Sequence, residues 1–430
     1  MSGESPVTLR SNTEVIMPTK KRVAITGLGI LASNGIGWQR FWDNCVAGRS
    51  GISRVSALQA RGCAISAAGQ VNGFSAADFV PTRILSRTDR VAHLGLAGAT
   101  LALEDAGLNQ LEDWRRSAAV IVGCSFGGQS FVEEGIERAY REGMATVHPS
   151  SISVLMPSST SGYMAITHKL GGVNLCISTM CSSGANAIGL AFRKIQAGEC
   201  EIALTGGVEA PITPFVVAAY RASGLLASDN GEPESIAKPF DKRRDGSVVA
   251  EGAALLVLEE LEHARARGGT VYAELVGYAS NSGTLGVGGP EEDVADLVRV
   301  MQSALTNADA SPEAIGYVNT YGVGTKSSDR AEIRALEAAF GPRLERVLLS
   351  SSKSMLGHSF GSSSALDAAL CALSLHRQTV TPTINLDQPE FEYDFVANRA
   401  RQADLEYAMS NSFGLTANNT SLVLRRIHGN

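Results

Sequence analysis

Paired cysteines are what this sequence first lacks. Its seven cysteines form no C-x-x-C pair and show no metal-ligand spacing, and their number is odd. That excludes a disulfide framework as the organising principle and points to free thiols in a reducing compartment. Long apolar runs are missing too: none approaches the ~20 residues that span a bilayer. Residues 1–21 are polar, without the apolar core of a secretory segment. Positive charge is not in excess, since 37 Lys and Arg stand against 43 Asp and Glu, a net charge of −6. There is therefore no electrostatic case for binding nucleic acid. The seven histidines are dispersed and no phosphate loop of the G-x-x-x-x-G-K-[ST] type occurs. Gly27 and Gly29 are followed by Ile30-Leu31-Ala32-Ser33, not by the third glycine of a dinucleotide fingerprint. The expectation is a cytoplasmic protein with no nucleotide, metal, nucleic acid or membrane role.

What is present is an ordinary globular composition. The 430 residues are 44% apolar and 19% charged, with 45 glycines. Apolar strand-like segments are read at 22–30, 118–122, 174–180, 201–205, 253–258, 271–278, 317–320 and 347–351, with a strand–turn–strand over 410–424. Helical patterns are read at 41–47, 83–106, 188–197, 291–308, 332–340 and 365–378, and residues 149–160 read as loop or cap. Strands alternating with helices predict an α/β architecture. Segments 174–197 and 347–378 echo each other: strand, small-residue turn carrying a reactive side chain, helix. The organisation expected is a flexible arm over 1–21 and two similar halves, 22–270 and 271–430.

The chemistry concentrates in three places. The stretch Ile177-Ser178-Thr179-Met180-Cys181-Ser182-Ser183-Gly184-Ala185 runs from a strand through a cysteine into small residues that open a helix. At a helix start, unpaired N–H groups and the helix dipole favour a thiolate and lower its pKa. A buried structural thiol is the plainer reading and fits Cys45, Cys63, Cys176, Cys200 and Cys371. The position of Cys181 makes it a candidate nucleophile. His358 follows Gly357 in a serine-rich turn, where tight backbone turning lets a ring reach a cleft, although a lone His is commonly structural. Lys353, at the end of the preceding strand, wants an acid, and Asp329 and Glu332 are the candidates. Phe413-Gly414-Leu415-Thr416-Ala417-Asn418 is either a plain hairpin turn or a loop that offers backbone N–H groups to an oxyanion.

These residues carry a resemblance. The chain resembles the elongating β-ketoacyl-acyl carrier protein synthases of the thiolase-like superfamily, the condensing enzymes of fatty acid and polyketide synthesis. The likeness runs through Val23-Ala24-Ile25-Thr26-Gly27-Leu28-Gly29, Ala47-Gly48-Arg49-Ser50-Gly51-Ile52, Thr179-Met180-Cys181-Ser182-Ser183-Gly184-Ala185 and Pro239-Phe240-Asp241 with Arg244-Asp245-Gly246. It continues in Lys353-Ser354-Met355-Leu356-Gly357-His358 and Asn411-Ser412-Phe413-Gly414. The resemblance implies a thiolase-like fold of two pseudo-duplicated halves in five alternating α and β layers, assembled as a homodimer or as a heterodimer with a related subunit. It implies that Cys181 accepts the acyl group, that His358 is one of two active-site histidines, and that Lys353 supports them with Glu332 and Asp329 nearby. The oxyanion hole is expected from the N–H groups of Cys181 and Leu415. Acyl groups would arrive as phosphopantetheine thioesters on an acyl carrier protein, with no further cofactor, and Arg83 and Arg87 lie where the family meets that acidic carrier. An ordinary solvated helix face is the other reading of those two arginines.

The departures from the family pattern sharpen the expectation. Tyr321 stands where the first active-site histidine belongs, in Tyr321-Gly322-Val323-Gly324-Thr325. The last loop has Leu415 where the family has a gating phenylalanine, and two of its glycines are lost. Met180 replaces the usual alanine, and Phe126 is larger than the usual residue at the acyl tunnel; with Phe413 these are the expected pocket residues, and Phe126 is expected to favour small acyl groups. The family transfers an acyl group to the cysteine, then decarboxylates a malonyl-carrier whose enolate attacks the acyl-cysteine. A neutral phenol donates one hydrogen bond but, with a pKa of about 10, is a poor base. Three readings follow: a ketosynthase that uses Tyr321 as a surrogate donor, an acyltransferase or non-decarboxylating condensing enzyme that works through the Cys181 thioester, and a non-catalytic subunit of a heterodimer. The retained Cys181, His358 and Lys353 argue against the third.

Overall fold

The computed structural model describes residues 20–111, 113–284 and 294–428. Most of the expected arm therefore lies outside the described residues, as do positions 291–293 of the helix read at 291–308. The strands that build the molecule are β1 (Val23–Ala32), β2 (Ala119–Gly123), β3 (Asn174–Ile177), β4 (Ile202–Glu209) and β5 (Gly252–Glu260), then β6 (Ala273–Ser282), β7 (Ile315–Asn319), β8 (Leu348–Ser350), β9 (Tyr407–Phe413) and β10 (Asn418–Arg425). The main helices are α1 (Arg90–Asp105), α2 (Gln129–Glu142), α3 (Ser158–His168), α4 (Ser183–Gln196), α5 (Pro214–Ala222), α6 (Ala295–Asn307), α7 (Lys326–Phe340) and α8 (Ser363–Arg377).

The duplication is explicit in the strand order. The first half runs β3-β2-β4-β5-β1 and the second β8-β7-β9-β10-β6, the same order counted from each half's own start. Parallel pairs recur at the same places, β2 with β3 and β4, β7 with β8 and β9. The other neighbours within each half are antiparallel. β1 joins the halves by pairing its Val23–Ile25 end with Leu275–Ala273 of β6. Helices α4 and α8 pack on strands of both halves and form the central layer; α1 and α3 cover the outer face of the first half, α6 and α7 that of the second. These are the five layers of the thiolase-like fold.

The sequence explains the layering. β5, Gly-Ala-Ala-Leu-Leu-Val-Leu-Glu-Glu, is buried along almost its whole length, as a strand covered on both faces must be. In α8 every residue from Ser363 to Leu375 is buried, the pattern of a helix enclosed on all sides. Gly184 and Gly361 let the two central helices meet: a Cβ on Gly184 would lie 2.8 Å from the Gly361 carbonyl oxygen. This contact is why the helix after Cys181 begins with small residues. α4 begins at Ser183, five residues before the start read from the amphipathic pattern, because the close approach demands residues that carry little pattern.

Other expectations are corrected. Residues 83–106 are not one helix. A short helix, Thr82–Leu85, ends where the Thr88 hydroxyl donates to the Ile84 carbonyl, and α1 restarts beyond Asp89, whose carboxylate caps the Ala92 N–H. Residues 149–160 are not loop: Ser151–Leu155 and α3 occupy them. The strand read at 174–180 ends at Ile177. That read at 201–205 continues through Gly206-Gly207, where a Cβ on Gly206 would stand 2.0 Å from the Ala254 carbonyl oxygen. Among the described residues no helix is long and apolar enough to cross a membrane, and no group of three or more His, Cys, Asp or Glu side chains could hold a metal ion.

Candidate active site

Cys181 sits in a single 3-10 turn, Met180–Ser182, between β3 and α4. Met180 carries a φ of 55°, unusual for a side-chain-bearing residue, and neighbours hold it there. The hydroxyls of Ser125 and Ser183 donate to the Met180 carbonyl at 2.8 and 2.6 Å, and the Ser412 hydroxyl donates to the Cys181 carbonyl at 3.1 Å. The second half repeats the device. Phe360, with a φ of 45°, opens the 3-10 turn Phe360–Ser362 that leads into α8. The echo noticed in the sequence is thus a pair of matching turns, with Gly361 at the place of Cys181.

His358 precedes that second turn. Its backbone is locked by a hydrogen bond from its own N–H to the Val248 carbonyl (2.7 Å) and one from Ala250 to its carbonyl (2.9 Å). Its Nε2 stands 3.1 Å from Cys181 Sγ and its Nδ1 3.3 Å from the Ser363 hydroxyl. Burial, and secondly Lys353, push its pKa down to about 3, so the ring is neutral at ordinary pH. Tyr321 closes the other side of the sulfur. Its hydroxyl donates to Cys181 Sγ at 3.4 Å, and its ring meets His358 and Phe413 edge-on, with centroids 5.8 and 5.9 Å apart. Burial drives the phenol's pKa well up and keeps it a donor. The nucleophile expected from one half therefore meets His358 and Tyr321 of the other.

The acidic support differs in detail from expectation. Lys353 pairs with neither Asp329 nor Glu332 but with Asp367, at 2.7 Å, which also accepts from the Ser352 hydroxyl at 2.6 Å. Asp367 lies on the first turns of α8, and its partners Ser352 and Lys353 follow β8. Sequence reading missed it, although it is the one charged residue in the apolar run Ser363 to Leu375, and a charge in so apolar a helix needs a partner. Glu332 instead accepts the N–H groups of Tyr321 and Gly322, each at 2.8 Å, and so fixes the loop that carries the phenol. Asp329 accepts from Phe240 (2.9 Å) and Gly324 (3.0 Å) and pairs with the buried Arg244 at 3.1 Å. Lys353 also lies over the Tyr321 ring, 5.3 Å from its centroid.

The thiol itself departs from the helix-start argument. Burial raises the pKa of Cys181 on balance, against lowering by the Tyr321 hydroxyl, the Leu415 N–H, Lys353 and its own N–H. Desolvation outweighs the helix terminus because the side chain is enclosed, only 3% exposed. The resting site is thus a neutral thiol, imidazole and phenol. The N–H groups of Leu415 and Cys181 both bear on the sulfur, the position expected of donors to an oxyanion formed there.

These groups open into a cavity of about 240 Å³ lined by Cys181, His358, Tyr321, Phe413, Tyr220 and Phe360 among others. Phe413 faces it as expected. Phe126 and Met180 do not line it: Phe126 packs edge-on against Phe360 at 5.3 Å, its N–H tied to the Glu209 carboxylate at 3.0 Å, and Met180 is held in the strained turn. The wall also includes Phe360 and Tyr220, to which sequence reading gave no role; Phe360 follows His358 by two residues, and Tyr220 belongs to no motif. Thr325 also lines the cavity, with a buried hydroxyl that has no partner among the described residues. Arg83 and Arg87 are exposed and form no ion pair among the described residues, whereas their neighbour Arg90 is committed to Glu251 at 2.7 and 2.5 Å.

A duplicated α/β sandwich with a cysteine on a strained turn facing the other half's histidine defines the thiolase-like class. Within it, the Beta-ketoacyl synthase N-terminal domain matches residues 20–264 and the Beta-ketoacyl synthase C-terminal domain residues 272–387, and the chain belongs to the β-ketoacyl synthase family. It is 36% identical over 412 residues to 3-oxoacyl-[acyl-carrier-protein] synthase 2 of Vibrio harveyi, covering 95% of this chain and 99% of that protein. To the protein of the same name from Staphylococcus aureus (strain COL) it is 34% identical over 412 residues, with the same coverage. Among solved structures it is similar to a β-ketoacyl synthase from Burkholderia phymatum (TM-score 0.88, 34% identity, 95% and 100% of the two chains). It is also similar to the ishigamide ketosynthase/chain length factor (TM-score 0.88, 30% identity, 95% and 100%). A third likeness is to a type II PKS acyl-carrier protein in complex with its ketosynthase bound to the hexaketide (TM-score 0.86, 28% identity, 95% and 100%).

Proposed function

We propose that this protein is a β-ketoacyl-acyl carrier protein synthase in which Cys181 takes an acyl group from a carrier and Tyr321 replaces a histidine donor. The observation that carries the reading is the convergence of His358 Nε2 and the Tyr321 hydroxyl on one sulfur, at 3.1 and 3.4 Å. In the first half-reaction the Cys181 sulfur bonds to the acyl carbonyl carbon while neutral His358 accepts the thiol proton. The N–H groups of Cys181 and Leu415 hold the oxyanion, the carrier's C–S bond breaks, and the proton leaves with the carrier thiol. In the second, a malonyl thioester loses carbon dioxide. Tyr321, and His358 in the tautomer that carries its proton on Nε2, each donate a hydrogen bond to the enolate oxygen, the enolate carbon attacks the acyl-Cys181 carbonyl, and the expelled thiolate takes a proton from solvent to restore the thiol. The unpartnered Thr325 hydroxyl suits an amide of the carrier's phosphopantetheine arm; no other cofactor enters the scheme.

A second reading, acyl transfer without decarboxylation, is favoured by one observation: the Tyr321 hydroxyl stands 3.4 Å from Cys181 Sγ, where it would crowd a malonyl thioester that approaches the sulfur. Intact-protein mass spectrometry with acyl-carrier, then malonyl-carrier, separates the two. The first reading gives an acyl adduct on Cys181 that disappears with release of carbon dioxide; the second leaves a stable adduct, or one passed to another acceptor, with no carbon dioxide.

The protein acts in the cytoplasm as a dimer with itself or a related subunit. Support comes from β3, which among the described residues pairs on one side only and leaves its Leu175 exposed, and from further exposed apolar side chains in the first half, among them Ile136, Tyr140 and Ile152. A face of this kind calls for a cover. Arg83 and Arg87 offer the acidic carrier an uncommitted positive pair.

A further inference from the structure

Tyr220, on α5, shares the cavity with Cys181. Its ring packs against Phe360 at 4.7 Å between centroids, and Phe360 packs against His358 at 4.9 Å. The ring is therefore fixed by aromatic contacts, while its hydroxyl has no hydrogen-bond partner among the described residues. That hydroxyl is open to solvent rather than sealed, so the partner it takes is one that enters the cavity. A purely apolar wall would be served by phenylalanine, as Phe360 and Phe413 serve it on the same cavity. Burial above all holds the phenol protonated, so it is a donor on the cavity that it shares with the sulfur.

We propose that Tyr220 determines acyl specificity, selecting acyl groups that carry a keto or hydroxyl oxygen near the thioester end over saturated chains of the same length. The proposal rests on the reading of Cys181 as the acyl acceptor. A saturated chain entering the cavity strips water from the phenol and returns nothing, whereas an oxygenated chain accepts its hydrogen bond. Sites built around such a donor discriminate against ligands that lack the acceptor. The loading step balances without a co-reactant: the Cys181 S–C bond forms, the donor's S–C bond breaks, and the thiol proton passes to the departing thiol.

The test is the rate of Cys181 acylation, followed by intact mass, from N-acetylcysteamine thioesters of butanoyl, 3-hydroxybutanoyl and 3-oxobutanoyl groups. The wild-type protein is expected to load one or both oxygenated groups about five- to tenfold faster than butanoyl. In Tyr220→Phe that ratio falls towards one, with an unchanged melting temperature. Tyr220→Leu, which also loses the ring, serves as the second variant and should show the same collapse of the ratio. A wild-type ratio of one or below, or a ratio unaltered in both variants, overturns the assignment of Tyr220 while leaving Cys181 as acyl acceptor. No adduct from any of the three thioesters removes the Cys181 reading itself, and the proposal with it.

Discussion

In the proposed mechanism, Tyr321 is the residue on which the chemistry turns. A phenol held neutral by burial donates one hydrogen bond and accepts no proton, so it can stand in for a histidine only where that histidine acts as a donor. Tyr321→Phe keeps the ring and its contacts with His358 and Phe413 but removes the donor. It is expected to slow carbon dioxide release from malonyl-carrier by ~10²–10³-fold, while acyl loading, which in the proposed mechanism relies on Cys181, His358 and backbone N–H groups, continues. Equal release from Tyr321→Phe and wild type would show that the hydroxyl takes no part. The neutral resting state has its own signature. Because the Cys181 pKa is raised and that of His358 lowered to about 3, the thiolate fraction grows with pH up to and beyond the ordinary thiol range. Alkylation of Cys181 by iodoacetamide should climb by about tenfold per pH unit from neutrality upwards. A plateau below about pH 7 would instead indicate a thiolate–imidazolium pair. Asp367 carries a stability prediction: Asp367→Asn leaves Lys353 buried without its counter-charge and should cost about 3–5 kcal/mol by chemical denaturation.

At the scale of elements, the site is made by two strand–turn–helix units that meet head to head. Their contact is tight at Gly184, where a Cβ would lie 2.8 Å from the Gly361 carbonyl and 2.9 Å from the Ala365 Cβ. Gly184→Val should therefore destabilise the protein by about 1–3 kcal/mol and shift the Cys181 turn, which a lowered melting temperature with slower acylation would show. Much of this was legible in the sequence. The alternation of strands and helices gave the α/β class, the repeat of strand, small-residue turn and helix gave the duplication, and Cys181, His358 and Tyr321 stood in recognisable motifs. What escaped did so for physical reasons. The first turn of α4 is written in Ser, Gly and Ala because of close packing, and such residues look like a turn when the partner helix is unseen. The partner of Lys353 is a tertiary matter, since Asp367 lies 14 residues downstream on another element. The cavity wall at Tyr220 and Phe360 is brought together by packing alone. The helix-start argument for a low thiol pKa failed because sequence shows the terminus but not the burial that opposes it.

For the whole molecule, the open edge of β3 and the exposed apolar side chains of the first half are the proposed dimer face. With Leu175 39% and Ile136 53% exposed in the isolated chain, replacing both by lysine should turn a particle of about twice 45.1 kDa into one of 45.1 kDa in light scattering. An unchanged mass would place the interface elsewhere. The central claim is that this assembled enzyme couples an acyl-Cys181 to decarboxylation. It is tested most directly by mixing acyl-loaded protein with malonyl-carrier in a single turnover and following carbon dioxide against the acyl adduct. The account predicts one carbon dioxide released for each acyl group lost from Cys181, with a β-ketoacyl-carrier as product; loss of the acyl group without carbon dioxide would contradict it.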